Sequence, residues 1–406
     1  MNSQTVYRAA GHDTRTGLSR ILRWQYSGIC LLVLFTLGFH FAIIMNPPTY
    51  VFDEIYYVPE AKFIIAHSGV LNADHPPLAK LFIAGGINLF GDNPFGWRFF
   101  SIIFGTISIV LIYLICRRLN MSRLASNIAA FLFGLENLAF IQASIAMLDV
   151  YSVTFMLAAL FLFIRRNLAL SGLFVSLSML AKLTGALTLA IFFLYWIFTE
   201  RRKWKTFVIP AAVAMVSFLV LMPVLDFVTI GQLINPLQRL ESMSKLSSSI
   251  SSTSIYLSAV SRPWDWIANK GALFYFNDPQ YIGLISFTVS VFVVPVMFYL
   301  VYLIVKKSRV ALFVLIWFAC VYLPWIPISL FMHRLMYIHY FYPAIAAVCA
   351  GLGFGLSRII EYWRNNRRNK LALTGGMLAF IYLVIHLVIF IILSPLAPAL
   401  AKWVNI

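Results

Sequence analysis

Two adjacent carboxylates, Asp53 and Glu54, directly follow the first long apolar run of the chain. One ionised carboxylate can accept the proton of an attacking hydroxyl group, and its neighbour can orient that hydroxyl or hold the hydroxyls of a substrate. The alternative is that both acids are merely solvated at a membrane interface, which is the better interpretation of an isolated pair. The neighbouring residues therefore decide between the two interpretations.

Cations follow in the same stretch of the chain. His75 and Lys80 stand around the double proline of HPPLAK, and Arg98 begins the next apolar run. Arg offers a planar fork of donors and Lys a point charge, and both suit the phosphate of a lipid-linked substrate. Each cation alone could simply extend from the end of a span to water. The carboxylates and cations together favour a site that acts on a lipid-linked phosphate.

The elements that position these residues must be membrane spans. The 406 residues are 61% hydrophobic and 11% charged, whereas soluble domains carry roughly 25% charged residues. An all-α polytopic fold is therefore predicted, with about eleven spans of roughly 20 residues each. The predicted spans are 26–45, 97–116, 124–141, 147–164, 168–182, 184–199, 206–226, 281–304, 310–330, 340–357 and 372–394.

The charge pattern predicts the orientation. With the N-terminus in the cytoplasm, most of the 31 Lys and Arg residues fall in short inner segments, as the positive-inside rule requires. Only the acids Asp13, Glu200 and Glu361 lie on that side. The net charge of +17 is thereby explained without nucleic acid, and binding of DNA or RNA is excluded as a function.

One membrane domain, 1–406, contains two long outer loops. The first, 46–96, holds the candidate catalytic residues, and the second, 227–280, precedes a four-span C-terminal region, 281–406. Loops of this length in a compact protein are usually functional or disordered. The aromatic and apolar residues of both loops favour a functional role, and residues 243–256 are predicted to be a flexible Ser-rich connector.

Several motifs, taken in chain order, resemble the protein O-mannosyltransferase family. FDEIYYVPEA, HPPLAKLFIA and GDNPFGWRFFS resemble its first-loop signature, and the later similar segments are ENLAFIQASIAMLDVYSVTF, SRPWDWIANKGALFYF and YLPWIPISLFMHRLMYIHYFYPAI. The resemblance implies a glycosyltransferase C fold and a polyprenyl or dolichyl phosphate mannose donor. Mannose would pass to a protein Ser or Thr by a single inverting displacement. The second loop is too short for the β-trefoil insert of eukaryotic members, which favours a prokaryotic form and leaves the acceptor open.

The resemblance also implies roles for single residues. Asp53 would be the base that accepts the acceptor's proton, and Glu54 would position the acceptor or the sugar. Residues expected near the donor phosphate or in the substrate cleft are His75, Lys80, Arg98, Asp149, Arg262, Arg334 and His339. For Lys80 and Arg98, the alternative is that they support the loop.

Other ionisable residues in apolar segments receive less specific interpretations. Glu136 faces either the donor cleft or solvent, and Lys182 is expected to extend to the membrane surface rather than to reach a phosphate. His40 and His386 are predicted to be core histidines with satisfied hydrogen bonds. No cofactor is assigned. A divalent metal is compatible with the oxygen and nitrogen ligands of the first loop, but nothing in their spacing indicates one.

Two alternatives remain open. The first is a polyprenyl-phosphate-sugar transferase that acts on a glycolipid or a polysaccharide. The second is a secondary transporter, which is disfavoured because the ionisable residues crowd one outer face and no two halves resemble each other. The transferase site is expected on the extracytoplasmic face of the plasma membrane in a prokaryote, or of the endoplasmic reticulum in a eukaryote.

Overall fold

The computed structural model describes residues 25–69, 74–249, 260–277, 280–331, 336–396 and 398. Eighteen α-helices form most of this part of the chain. They are α1 (Ser27–Ile43), α2 (Glu54–Ile65), α3 (Leu78–Phe90), α4 (Pro94–Arg118), α5 (Arg123–Gly134), α6 (Asn137–Ser144), α7 (Leu148–Ile164), α8 (Leu168–Ala181), α9 (Leu187–Glu200), α10 (Lys205–Ile230), α11 (Pro236–Ser249), α12 (Pro263–Ile267), α13 (Phe287–Ser290), α14 (Val293–Val305), α15 (Arg309–Tyr322), α16 (Trp325–Phe331), α17 (Tyr342–Asn365) and α18 (Lys370–Leu393).

Every predicted span coincides with one or two of these helices. In the described part of the chain, seven helical segments are long and apolar enough to cross a membrane, or eight if the pair α5 and α6, bent by 61°, is one span. The other three predicted spans coincide with the shorter apolar helices α1, α7 and α8. The chain is an integral, multi-pass membrane protein, and the count of eleven spans and the position of the N-terminus stay predictions.

The described part of the first loop contains two helices, α2 and α3. Asn93 ends this loop, and its side-chain oxygen accepts the backbone N–H groups of Phe95 and Gly96 at the start of α4. Such a cap satisfies donors that have no partner within the helix. Helices α3 and α4 then meet without side chains between them, because a Cβ atom at Gly86 would overlap the carbonyl oxygen of Gly96.

The second loop contains α11, α12 and a feature that the sequence did not indicate. The prediction of a flexible connector over 243–256 is wrong for 243–249, which belong to α11, and 250–256 lie outside the described residues. Strands β1 (Leu273–Asn277) and β2 (Gln280–Gly283) form one antiparallel hairpin with an irregular register between Phe274 and Phe276. Asn137 at the start of α6 anchors the hairpin, because its side-chain amide donates to the carbonyl oxygens of Ile282 and Leu284. The second loop is therefore attached to the centre of the helical bundle.

The two histidines that lie inside apolar helices have polar partners. His40 lies 3.0 Å from the Ser144 hydroxyl, and His386 contacts the Thr288 hydroxyl at 2.6 Å and the carbonyl oxygen of Leu132 at 3.1 Å. Both are buried. The prediction of satisfied core histidines is confirmed.

Candidate active site

Asp53 lies at the N-terminus of α2, behind a residue with an uncommon backbone conformation. The preceding Phe52 has φ of 49° and is 3% exposed. A bulky residue in the left-handed region costs on the order of 1–3 kcal/mol and persists where its surroundings enforce it. Asp53 itself is half-buried, and the Tyr57 hydroxyl donates to its Oδ2 atom at 3.3 Å.

Glu54 and Arg98 form a fully buried ion pair behind this turn. The Arg98 guanidinium contacts both carboxylate oxygens at 2.8 and 2.9 Å. It also donates to four backbone carbonyl oxygens between α1 and α2, those of Ile44, Asn46, Pro47 and Thr49. A guanidinium has five N–H donors, and these contacts engage all of them.

The Glu54 carboxylate is equally occupied. Besides Arg98, it accepts the backbone N–H groups of Val51 at 2.8 Å and Ala146 at 2.8 Å. The expectation that Glu54 contacts the acceptor or sugar therefore needs correction, because its carboxylate has no capacity left for a ligand. Of the two roles expected for Arg98, contact with the donor phosphate and support of the loop, its contacts fit the second. The pair instead joins the Asp53 turn to α4 and to the segment that follows α6.

Aromatic rings line one side of Asp53. The Phe52 ring packs edge-on against Tyr275 of β1 at 4.9 Å and against His339 at 5.9 Å. Gln142 of α6 donates to the Tyr275 hydroxyl at 2.6 Å, which fixes that ring. His339, predicted as a site residue, is 3% exposed and lies 4.8 Å from the Tyr340 ring.

Asp149 and Lys182 form a second buried pair near Asp53. The Lys182 ammonium lies 2.8 Å from each oxygen of Asp149, and the two side chains are 7% and 6% exposed. The ammonium also lies 5.2 Å from the centre of the Tyr340 ring. The expectation that Lys182 extends to the membrane surface is wrong, because Asp149 holds it in the interior.

The HPPLAK segment supplies two further charged pairs. Asp74 and His75 are half-buried, with 3.5 Å between Asp74 Oδ2 and His75 Nε2. Lys80 is buried 3.6 Å from Glu60 of α2. Lys80 is therefore placed beside Asp74 and Glu60, and its ammonium partly balances both acids.

The remaining site predictions fall elsewhere. Arg262 is exposed and lies over the Trp264 ring at 5.5 Å, and Arg334 lies outside the described residues. Glu136 does not face a cleft, because its carboxylate accepts the backbone N–H groups of Ala139 and Ser286 in the core. Within the described ranges, no group of three or more His, Cys, Asp or Glu side chains is arranged to hold a metal ion.

Burial sets the protonation behaviour of Asp53. Loss of solvent raises the pKa of its carboxyl group from 3.8 to about 7, against the lowering effect of Lys182, while Asp149 adds to the rise. Burial also raises the pKa of Asp74. A carboxyl group with a pKa near the working pH is suited to accept a proton from a hydroxyl and release it again.

The architecture matches known enzymes of the glycosyltransferase C fold. The structure of the Saccharomyces cerevisiae protein O-mannosyltransferase Pmt1–Pmt2 complex bound to the sugar donor superimposes with a TM-score of 0.76 at 13% identity, covering 92% of this chain and 90% of that one. ArnT from Cupriavidus metallidurans gives 0.57 at 15% identity, over 92% and 77% of the two chains. The all-α glycosyltransferase C fold is thereby confirmed.

The sequence comparisons are narrower and more specific. Residues 74–227 match the family model of dolichyl-phosphate-mannose-protein mannosyltransferases. A polyprenol-phosphate-mannose–protein mannosyltransferase of Mycobacterium tuberculosis is 34% identical over 149 residues, which are 35% of this chain and 28% of the relative. The relative of the same name from Corynebacterium glutamicum is 34% identical over 154 residues, 35% and 29% of the two chains. The resemblance to the protein O-mannosyltransferase family is confirmed, and the alignments span less than a third of these relatives.

Proposed function

We propose that the chain is a membrane glycosyltransferase that transfers mannose from a polyprenyl phosphate mannose to Ser or Thr hydroxyl groups of proteins. The observation that carries the proposal is Asp53, a half-buried carboxylate with a raised pKa between aromatic rings and the Asp149–Lys182 pair. The family match and the names of the bacterial relatives support a polyprenyl phosphate mannose donor and a protein acceptor.

The reaction is a single displacement at the anomeric carbon of the sugar. The acceptor hydroxyl gives its proton to Asp53 while its oxygen forms a bond to the anomeric carbon. The bond from that carbon to the phosphate oxygen breaks, its electron pair stays on the phosphate, and the configuration inverts. Phosphate is a good leaving group once its charge is compensated, so a strong general acid is not required.

In this proposal, the reaction takes place on the extracytoplasmic face of the plasma membrane of a prokaryote. Two features support that face. The inner segments carry most of the basic residues, and the loops that hold Asp53 and the hairpin are then on the outer side. The bacterial relatives support the plasma membrane.

The test uses purified protein in lipid with polyprenyl phosphate [³H]mannose and a Ser/Thr-rich peptide. We expect label in the peptide with wild type and a loss of about 100-fold or more with Asp53→Asn, because acid–base catalysis contributes roughly 10²–10⁴-fold. Lys62→Met, a change on the exposed side of α2, is the matched control and should transfer at the wild-type rate. Consumption of donor without labelled peptide would redirect the proposal to a glycolipid or polysaccharide acceptor, and no consumption would reject the mannosyl donor.

A further inference from the structure

Helices α7 and α8 do not need the buried Asp149–Lys182 pair in order to pack against each other. The same two helices are joined next to it by neutral groups, because the Ser178 hydroxyl donates to the carbonyl oxygen of Ser152 at 2.7 Å and the Ser152 hydroxyl to that of Ser178 at 3.0 Å. A buried ion pair gains little over apolar packing, since both charges lose their hydration. A ligand for these charges would explain why they are present.

The pair borders the catalytic centre. The Lys182 ammonium faces the Tyr340 ring at 5.2 Å, and Tyr340 packs against Trp325 at 4.6 Å and His339 at 4.8 Å. Both members of the pair act electrostatically on Asp53. A ligand that reaches Asp53 from this side therefore meets a carboxylate, an ammonium group and an aromatic ring together.

The balance of charge indicates what part of a donor fits here. The carboxyl groups of Asp74 and Asp149 both act on Asp53. Asp149 holds the Lys182 ammonium, and Lys80 partly balances Asp74. Because Asp149 already balances the charge of Lys182, the pair offers a phosphate anion little net attraction. The same acids accept hydrogen bonds from sugar hydroxyls, and an ammonium group carries three donors, of which Asp149 engages two.

We propose that Asp149 and Lys182 bind hydroxyl groups of the donor's sugar, with Tyr340 beside the ring, and thereby select which sugar is transferred. This assignment rests on the proposed function. It places the phosphate outside the pair, and it makes Asp149 and Lys182 residues of substrate specificity rather than of leaving-group stabilisation.

The test compares donors that differ only in the sugar. Wild type, Asp149→Asn and Lys182→Met are supplied with polyprenyl phosphate mannose and with its four monodeoxy analogues, and binding of bare polyprenyl phosphate is measured in parallel. We expect each variant to lower kcat/KM for the mannosyl donor about 10- to 100-fold, which is the range for one hydrogen bond to a charged group. Affinity for bare polyprenyl phosphate should change less than about threefold, because in this proposal the pair does not touch the phosphate.

The deoxy donors identify the contact. For wild type, kcat/KM should fall by a similar factor with the analogue that lacks the bound hydroxyl. For the variants, kcat/KM should fall little further with that analogue, since the substitution and the missing hydroxyl remove the same interaction. Equal losses of donor and bare-phosphate affinity would instead assign the pair to the phosphate. Full additivity with all four analogues would reduce the pair to a structural role. Either result overturns the proposal.

Two controls keep the result interpretable. The double variant Asp149→Asn/Lys182→Met leaves no unpaired buried charge, so it serves if a single variant does not fold. Ser152→Ala changes the same helix contact without touching the charges, and it should leave the sugar preference unchanged. If wild type transfers no mannose, the proposed function fails, whereas the binding of the deoxy donors still tests the pair.

Discussion

Replacing Arg98 should damage the fold and leave donor recognition intact. In Arg98→Met, the apolar stem is largely kept, but the guanidinium that joins Glu54 to four backbone carbonyl oxygens is lost. Both side chains of the pair are completely buried. The change therefore leaves a carboxylate and several carbonyl groups without their donors in the interior.

The expected loss of stability in Arg98→Met follows from this arrangement. Removing one partner of a buried ion pair destabilises a protein by about 3–5 kcal/mol, mostly because the remaining charge stays buried and uncompensated. Glu54 keeps the N–H groups of Val51 and Ala146, which places the cost toward the lower end. The double variant Glu54→Gln/Arg98→Met removes the stranded charge as well. It should lose less than the sum of the single variants, with a coupling of about 1–3 kcal/mol.

Two measurements in detergent or nanodiscs separate stability from recognition. Thermal unfolding, followed through the ten tryptophans, reports the stability of each variant. Binding of bare polyprenyl phosphate to the folded protein at low temperature reports the phosphate site. We expect a large drop in the midpoint of unfolding for Arg98→Met and an affinity within about threefold of wild type, because Arg98 is occupied by protein groups.

The opposite pattern would refute this reasoning. If Arg98→Met unfolded at the wild-type temperature but bound polyprenyl phosphate ten times more weakly or worse, Arg98 would contact the phosphate. Of the two roles that the family resemblance implies for Arg98, contact with the donor phosphate would then apply, and the buried pair would rearrange when the donor binds. Arg98→Lys refines the result, because an ammonium group can replace only part of the five donors.

Two further changes test the base and the packing of the first loop. Burial raises the pKa of Asp53 to about 7, and the base acts when it is ionised. The value of kcat/KM should therefore rise about tenfold per pH unit below pH 7 and level off above it. A flat profile from pH 5 to pH 8 in protein that stays folded would contradict this prediction. Gly86→Ala should destabilise the protein by about 1–3 kcal/mol, because the new methyl group meets the backbone of Gly96, whereas Gly85→Ala, whose Cβ would meet only the Phe100 ring at 3.7 Å, should unfold near the wild-type temperature.

The fold could be read from the sequence to the extent that the bilayer determines it. Apolar runs located the helices, because a chain in lipid must satisfy its backbone groups within helices. The hairpin of β1 and β2 lies outside the apolar spans. Its anchor is the Asn137 side chain in the middle of the bundle, a long-range contact with no local pattern in the sequence.

The sequence predicted which residues belong to the candidate site better than it predicted what each of them does. The motifs placed Asp53, His75, Asp149 and His339 in one region. In the structure, Asp53 and His75 both contact Tyr57. His339 packs against Tyr340, and Asp149 holds Lys182 over the same ring. The sequence could not show that Arg98 pairs with Glu54 and not with a ligand. Adjacent acids such as Asp53 and Glu54 look equivalent in a sequence. Only the backbone path decides that one carboxylate turns toward Tyr57 and the other toward Arg98.

Lys182 is a second residue whose partner could not be predicted from the sequence. An isolated cation at the end of an apolar helix is most simply expected to extend to water, and its partner Asp149 lies 33 residues away along the chain. The signal that could have joined them is that each is an ionisable residue in an apolar segment, which is costly unless the two are paired. Opposite charges in consecutive membrane helices are therefore better read together, and the pair then indicates a site rather than two separate anchors.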